Sequence, residues 1–411
     1  MSGVKAILKS LAWVSVLPVF GVLLLLRLLF PRRPVVLPDS VERLTLVAPY
    51  EPSGKSGGST AIANLIETLE RGYRVAVVPL WSLSPPSRWR AIIARYLLDS
   101  VPIPTRCGPF LTSPGSVRSR LDSTDPVVIE FVSGSLFTYF GGAPPNHTIL
   151  RDHEVLLRRV LSEHAVPVRR WRVLQLPRIV ATYLFTYRIY LGVDQVVALT
   201  PEDGADLIRF FPRLAGRVRV IPVSFEVPST LPAIPSPEPG HEILFLANFY
   251  HRPNVDGLLW FLREVAPQLR PGLTLHLCGM DEPLDNLDLH SPNLRVIRHG
   301  FVPDVAATFH QVTVAVSPLI SGGGVRMKNL FLAGQRKAIV TTPLGNQGID
   351  FESGRSAEVC ATGTEMARAI ERLLDDPRSA TEIANAGYEH VKRQFTAAAV
   401  LDRYRKLVFA S

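Results

Sequence analysis

The sequence predicts an α/β protein, built as two doubly wound parallel-sheet units in tandem behind an apolar N-terminal helix. Three observations predict it. At 411 residues the chain is longer than one core usually spans. Short, apolar, β-branched runs alternate with helical periods, as in parallel sheets covered on both faces. Five prolines among the fourteen residues from Val227 to Gly240 divide two such series, because proline continues neither a helix nor an inner strand. The expected boundaries are 1–40 for the N-terminal helix and its flank, 41–226 for the first unit, 227–240 for the linker, 241–395 for the second unit and 396–411 for a last helix returning to the first unit.

Composition bounds the function classes. Hydrophobic residues make up 47% and charged residues 20%, which excludes wholesale disorder. The net charge of +9 favours anionic partners: nucleotide phosphates, phospholipid headgroups or phosphorylated lipid carriers. No zinc-ligand spacing, RNA-binding aromatic signature or DNA-reading helix accompanies that charge, so no nucleic acid partner is expected. The three cysteines, Cys107, Cys278 and Cys360, lie far apart and make neither a disulfide framework nor a metal site, which suits a reducing cytosol.

The run from Ser10 to Leu26 carries no charge, with Lys5 and Lys9 before it and Arg27, Arg32 and Arg33 after it. If Arg27 snorkels, the stretch to Phe30 reaches the roughly 20 residues that a membrane-spanning helix needs. It reads as a single-pass anchor in a bacterial-type inner membrane. An interfacial helix, a buried core helix and a cleaved signal peptide are the competing readings; the last lacks a small-residue cleavage site. The charges flanking the run lean weakly toward a body facing the cytosol.

In the first unit, strand Leu44 to Ala48, a loop rich in Gly and Ser, a helix ending at Gly72 and strand YRVAVVPL give the β-loop-α-β order of a parallel sheet. Strands follow around Ile129, ending at Thr200 and from Arg217 to Val223, and Arg151 to Gly192 reads as mostly helical. After the linker the pattern restarts with EILFLANF, helix NVDGLLWFLREVAPQLR, LTLHLCG, LRVIRHGFV, VAVSPL, a glycine-led helix, KAIVTTPLG, AEVCATG and helix TEMARAIERLLDD. Two such units imply a ligand cleft at the carboxyl ends of their strands.

Four segments carry candidate chemistry. In SPLISGGGVRMKNL, glycines 322–324 join a strand to a helix, so backbone amides and the helix N-terminus can meet an anion. Arg326 and Lys328 stand in that helix's first turn, unfavourably for its dipole, which makes sense if a diphosphate sits there; a glycine turn with solvated cations is the alternative. EPSGKSGGST resembles a phosphate loop only superficially, because Pro49 occupies the first glycine position, whereas Gly57 and Gly58 permit close backbone approach or merely connect. His153 follows an apolar strand end, where a histidine binds an acceptor hydroxyl, shuttles its proton or makes a structural hydrogen bond. In FYHRPNVDGLLWF, Asn254 reads as a helix N-cap and Asp256 as an early acid, while Arg252 either reaches a phosphate or stays solvated.

Taken together, these segments resemble the retaining glycosyltransferase family 4, with its two Rossmann-like domains (the GT-B fold). The resemblance covers roughly residues 44–395 and is strongest in FLANFYHRPNVDGLLWFLREVAPQL, LHLCG, HGFVPD, SPLISGGGVRMKNL and IVTTPLGNQGID, which keep the family's order and spacing. It implies sugar transfer from a nucleotide-sugar to a lipid-linked or envelope-glycan acceptor, with retention, no cofactor and no metal. On this resemblance Gly57 and Gly58 approach the donor phosphate or acceptor, His153 lies beside the transferred sugar, and Arg326 with Lys328 holds the leaving diphosphate. Arg252, Gly323 and Gly324, together with Gly345, Asn346, Gln347 and Gly348, lie near the donor. The chain departs from the family where many members carry two glutamates eight positions apart: Gly323 and Phe331 stand there, and neither supplies a carboxylate for ribose. The family's arginine and lysine after the first strand of the second unit have Asn248 and Arg252 as their nearest counterparts. A non-catalytic protein that binds a nucleotide-sugar or a partner at the membrane is therefore the second reading.

Overall fold

The computed structural model describes residues 2–37, 40–49, 51–52, 57–80, 117–121, 124–135, 144–164, 172–228, 241–322 and 324–409. Two compact units emerge, Met1–Ser224 with Val400–Ser411, and Phe225–Ala399. Most of the expected linker, residues 229–240, lies outside the described residues, as do Cys107, Gly323 and the Gly-Lys-Ser segment 54–56.

In the first unit, β1 (Arg43–Ala48), β2 (Arg74–Pro79), β3 (Val127–Glu130), β4 (Thr148–Asp152), β5 (Gln195–Ala198) and β6 (Val218–Val220) form one sheet in the order β2-β1-β3-β4-β5-β6. Every pairing is parallel. The runs are mostly apolar because alternate residues feed different cores. Leu44, Leu46, Val128, Ile149 and Val197 pack with Ile62, Leu65 and Leu69 of α2 (Gly57–Glu70). Val47, Val127, Ile129, Leu150 and Val196 enter a second cluster on the other face.

That second cluster corrects the expectation for the N-terminus. Helix α1 (Ser2–Leu29) does not stand apart as an anchor, because Phe20 and Leu24 are buried in the first unit's core. Phe20 packs on Phe185, with ring centroids 5.6 Å apart, and the Arg188 guanidinium donates to the Leu23 carbonyl at 3.1 Å. The flank is tied down as well, since Arg32 pairs with Asp194 at 2.9 Å and donates to the Gly192 carbonyl at 2.8 Å. Among the described residues, no helix is long and apolar enough to cross a membrane.

The segment read as helical from Arg151 begins as strand: β4 runs to Asp152 before α4 (Leu156–His164) and α5 (Arg172–Tyr190), with the single turn α3 (Phe131–Gly134) preceding β4. Helix α6 (Pro201–Phe210) follows β5 and opens on Thr200, whose hydroxyl accepts from the Asp203 amide at 3.0 Å.

The second unit repeats the plan. Strands β7 (Glu242–Leu246), β8 (Leu273–Cys278), β9 (Leu294–Arg298), β10 (Val314–Ser317), β11 (Ala338–Thr341) and β12 (Glu358–Val359) lie in the order β12-β11-β10-β7-β8-β9. They too pair in parallel. The helix expected from Asn254 to Arg270 is α7 (Arg252–Trp260), continued by a π turn over Phe261–Val265 and a 3-10 turn over Ala266–Gln268. Pro267, lacking an amide hydrogen, ends it early. Beyond α8 (Val305–Thr308), α9 (Met327–Gly334) and α10 (Pro343–Asn346), helix α11 (Gly363–Asp375) opens with a capping box between Thr362 and Glu365. Asp376 caps α12 (Pro377–Phe395), and α13 (Ala397–Leu407) follows. Val400, Leu401 and Tyr404 of α13 join the core over β1 and α2.

Candidate functional site

Open parallel sheets bind ligands beyond the carboxyl ends of their strands, at the point where the strand order reverses. The first sheet reverses between β1 and β3, and the second between β7 and β10. The loops leaving these four strands carry most of the residues that sequence analysis singles out.

In the first unit, register builds a charged cluster. Glu130, the last residue of β3, pairs across the ladder with Arg151 of β4. The alternation of side chains then sets His153 on the same side as Arg151. Glu130 and Arg151 are fully buried and joined at 3.1 Å, and His153 Nε2 lies 2.7 Å from Glu130 Oε2. Burial alone would raise the Glu130 carboxyl, but the Arg151 guanidinium and His153 outweigh it and hold that carboxyl below its ordinary range. Burial pushes His153 the other way, toward the neutral ring, against the pull of Glu130. A neutral ring facing an ionised carboxylate carries its proton on Nε2, which leaves Nδ1 with the lone pair.

Phe131 stacks on that imidazole, ring centroids 3.6 Å apart and planes 17° from parallel. Its φ is +63°, a left-handed conformation costing a non-glycine residue about 1 kcal/mol or more. On the opposite face of β4, Asp152 accepts from the Tyr190 hydroxyl at 2.6 Å. Burial raises Asp152 to about 7 despite that bond, with Asp203 adding to the shift. Gly57 and Gly58 begin α2, the helix following β1, so they belong to the loop at the reversal point.

The second unit gathers a separate cluster. Lys328 in the first turn of α9 donates from Nζ to Asn254 Oδ1 at 2.9 Å and stands 5.2 Å above the Phe245 ring. Asn254 in turn donates to the Asn248 carbonyl at 2.8 Å. The N-cap expectation for Asn254 is therefore corrected: α7 begins two residues earlier, and the Asn254 side chain braces the β7 loop against α9. Burial, and then the neighbouring Arg326 cation, push Lys328 down to about 7. An anion arriving there would restore the proton. Arg326 is itself buried, at the N-terminal boundary of α9.

The remaining candidates divide. Arg252 is exposed and pairs with Asp256 one turn on, at 2.8 Å. Gly324, at φ +75°, adopts a conformation that favours glycine. Gly345 is a packing residue: a Cβ there would come 2.1 Å from Thr341 Oγ1, and Asn329 donates to its carbonyl at 2.9 Å. Asn346 spends its amide on Phe351, donating to its carbonyl at 3.0 Å and accepting from its amide at 2.9 Å. Gln347 is half-buried, and Gly348 turns the chain at φ +73°. Sequence analysis missed Glu130, Phe131 and the bracing role of Asn254. Only strand register and an unusual backbone angle reveal the first two.

Residues 240–376 match the family model described as Glycosyl transferases group 1. A Klebsiella pneumoniae protein described as an uncharacterized 44.6 kDa protein in cps region is 21% identical over 163 residues, 37% of this chain and 42% of that one. The chain thus spans less than half of that curated relative. Among solved structures, sucrose-phosphate synthase from Thermosynechococcus elongatus superposes with a TM-score of 0.65 at 16% identity, covering 90% of this chain and 100% of the other. Anabaena HepE in complex with UDP and glucose gives 0.59 at 12% identity, covering 90% and 100%. Likenesses at such identities show the fold, two parallel α/β units of GT-B type. The family match lies over the second unit.

Proposed function

We propose that this protein transfers a hexosyl group from a nucleotide-sugar to a lipid-linked or envelope-glycan acceptor at the cytosolic face of a bacterial inner membrane. The observation that carries the proposal is Lys328, held against Asn254 beside Arg326 at the reversal point of the second sheet, inside the matched segment. In this reading Arg326, Lys328 and the amides of the glycine loop take up charge as the sugar-phosphate bond breaks. His153, with Nε2 bonded to Glu130, offers Nδ1 to a sugar or acceptor hydroxyl. Retention, independence of metal and a donor site over Gly345 to Gly348 extend the proposal by resemblance. The complex of HepE with UDP and glucose supports a nucleotide-sugar as the donor class.

One observation favours a second reading. Phe331 lies within α9, where by resemblance many members of glycosyltransferase family 4 carry a glutamate, which suits a protein that binds a nucleotide-sugar without turning it over. A panel of nucleotide-sugars, assayed for transfer and donor hydrolysis with wild-type, Lys328→Ala and His153→Ala protein, separates the two. An enzyme loses turnover in the lysine variant, whereas a binder shows saturable affinity and no turnover in any form. Absence of binding across the panel would refute both.

A further inference from the structure

Helix α1 is apolar on both faces, and the protein covers only one of them. Leu17, Phe20, Leu24 and Leu28 turn toward α5 and the core. The opposite stripe is Val19, 55% exposed, Val22 at 56%, Leu25 at 54% and Leu29 at 62%, continued by Phe30 at 72%. Surface helices of water-soluble proteins carry charged and polar side chains on that outer face. A contiguous apolar stripe of this kind marks an interaction surface. On neighbouring α5, Leu176 and Val180 are also exposed.

Charge selects the occupant. Neither α1 nor α5 contains an aspartate or a glutamate, whereas Lys5, Lys9, Arg27, Arg172, Arg178 and Arg188 all lie on them. At the carboxyl end of α1, Arg27 is held below its ordinary proton affinity by burial and by Arg188, Arg32 and Arg217. Asp194 is the carboxylate acting on Arg32 and Arg217. Two copies of the chain meeting through this face would bring two such arginine clusters together, whereas an anionic bilayer surface would offset their charge.

We infer that α1, with α5 behind it, is an in-plane membrane-docking surface: the Val19–Val22–Leu25–Leu29 stripe enters the headgroup boundary of an anionic bilayer, and the helix does not cross it. The burial of Phe20 and Leu24 and the pairing of Arg32 with Asp194 hold α1 along the first unit, so the helix presents one face to lipid. The inference deepens the membrane side of the proposed function and rests on that reading only for the nature of the acceptor.

The test uses the full chain and vesicles, with no sugar present, so its failure would leave sugar transfer standing. Wild-type protein should sediment with vesicles containing phosphatidylglycerol and bind phosphatidylcholine vesicles at least about tenfold more weakly. The double variant Val22→Glu/Leu26→Glu should lose at least about tenfold in binding to the anionic vesicles while keeping its thermal midpoint, because both side chains stand outside the core. A Ser2→Cys variant in a Cys107→Ser background, bound to preformed vesicles, should react fully with an impermeant maleimide added outside. Undiminished binding by the double variant would overturn the inference. So would equal binding to both vesicle types, or a fraction of Ser2→Cys protected until lysis. A lipid-free dimer that the double variant dissociates would overturn it too, by naming a second copy as the occupant.

Discussion

Titration of Lys328 offers the sharpest test of the donor site. Burial and Arg326 hold this amine at about 7, so at neutral pH about half the molecules carry an uncharged lysine before any ligand binds. The diphosphate of a nucleotide-sugar has no proton of its own to lose above that pH, and its charge would keep the bound lysine protonated. Binding should therefore draw in about half a proton per site at pH 7, approaching one near pH 8.5. Affinity should fall about 50-fold from pH 7 to pH 9, because only about one free molecule in a hundred then carries the charge. Titration calorimetry in buffers of differing ionisation enthalpy reads both quantities. Lys328→Arg, which stays charged throughout, should bind with little pH dependence. Affinity flat across this range with no proton uptake would remove Lys328 from the diphosphate site.

Three further outcomes follow from packing and charge. Glu130→Ala leaves the buried Arg151 guanidinium without its carboxylate and should cost about 3–5 kcal/mol in urea unfolding, a far larger loss than an exposed pair such as Arg252 with Asp256 would show. Asp152 is raised from 3.8 to about 7, so the folded state holds a proton that the unfolded chain has released. Stability should fall on the order of 4 kcal/mol as pH rises from about 4 to about 7 and level off above, a slope that Asp152→Asn should abolish. Gly279 sits at φ +128°, where a Cβ would come 1.7 Å from the Ala247 carbonyl oxygen. Gly279→Ala should accordingly cost more than about 3 kcal/mol, or prevent folding of the second unit, as read by near-ultraviolet dichroism and urea midpoint.

Most of the order of strands and helices was legible because parallel strands buried on both faces must be largely apolar, and runs such as LTLVA and AIVT are. The glycine loop before Arg326 and Lys328 was legible because few residues tolerate such a turn. Pairings were not. Glu130 lies 21 residues from Arg151, and only the β3–β4 register brings its carboxylate to the guanidinium and to His153. Nor did the pattern around Asn254 reveal that its amide faces Lys328, 74 residues away, in place of capping its own helix. The first thirty residues mark the division most clearly. Their apolar content was determined by sequence, since hydropathy is a sum over side chains. Whether those side chains meet lipid all round or turn one face into a protein core depends on neighbours. The packing of Phe20 against Phe185 and the bond from Arg32 to Asp194 belong to the tertiary structure alone.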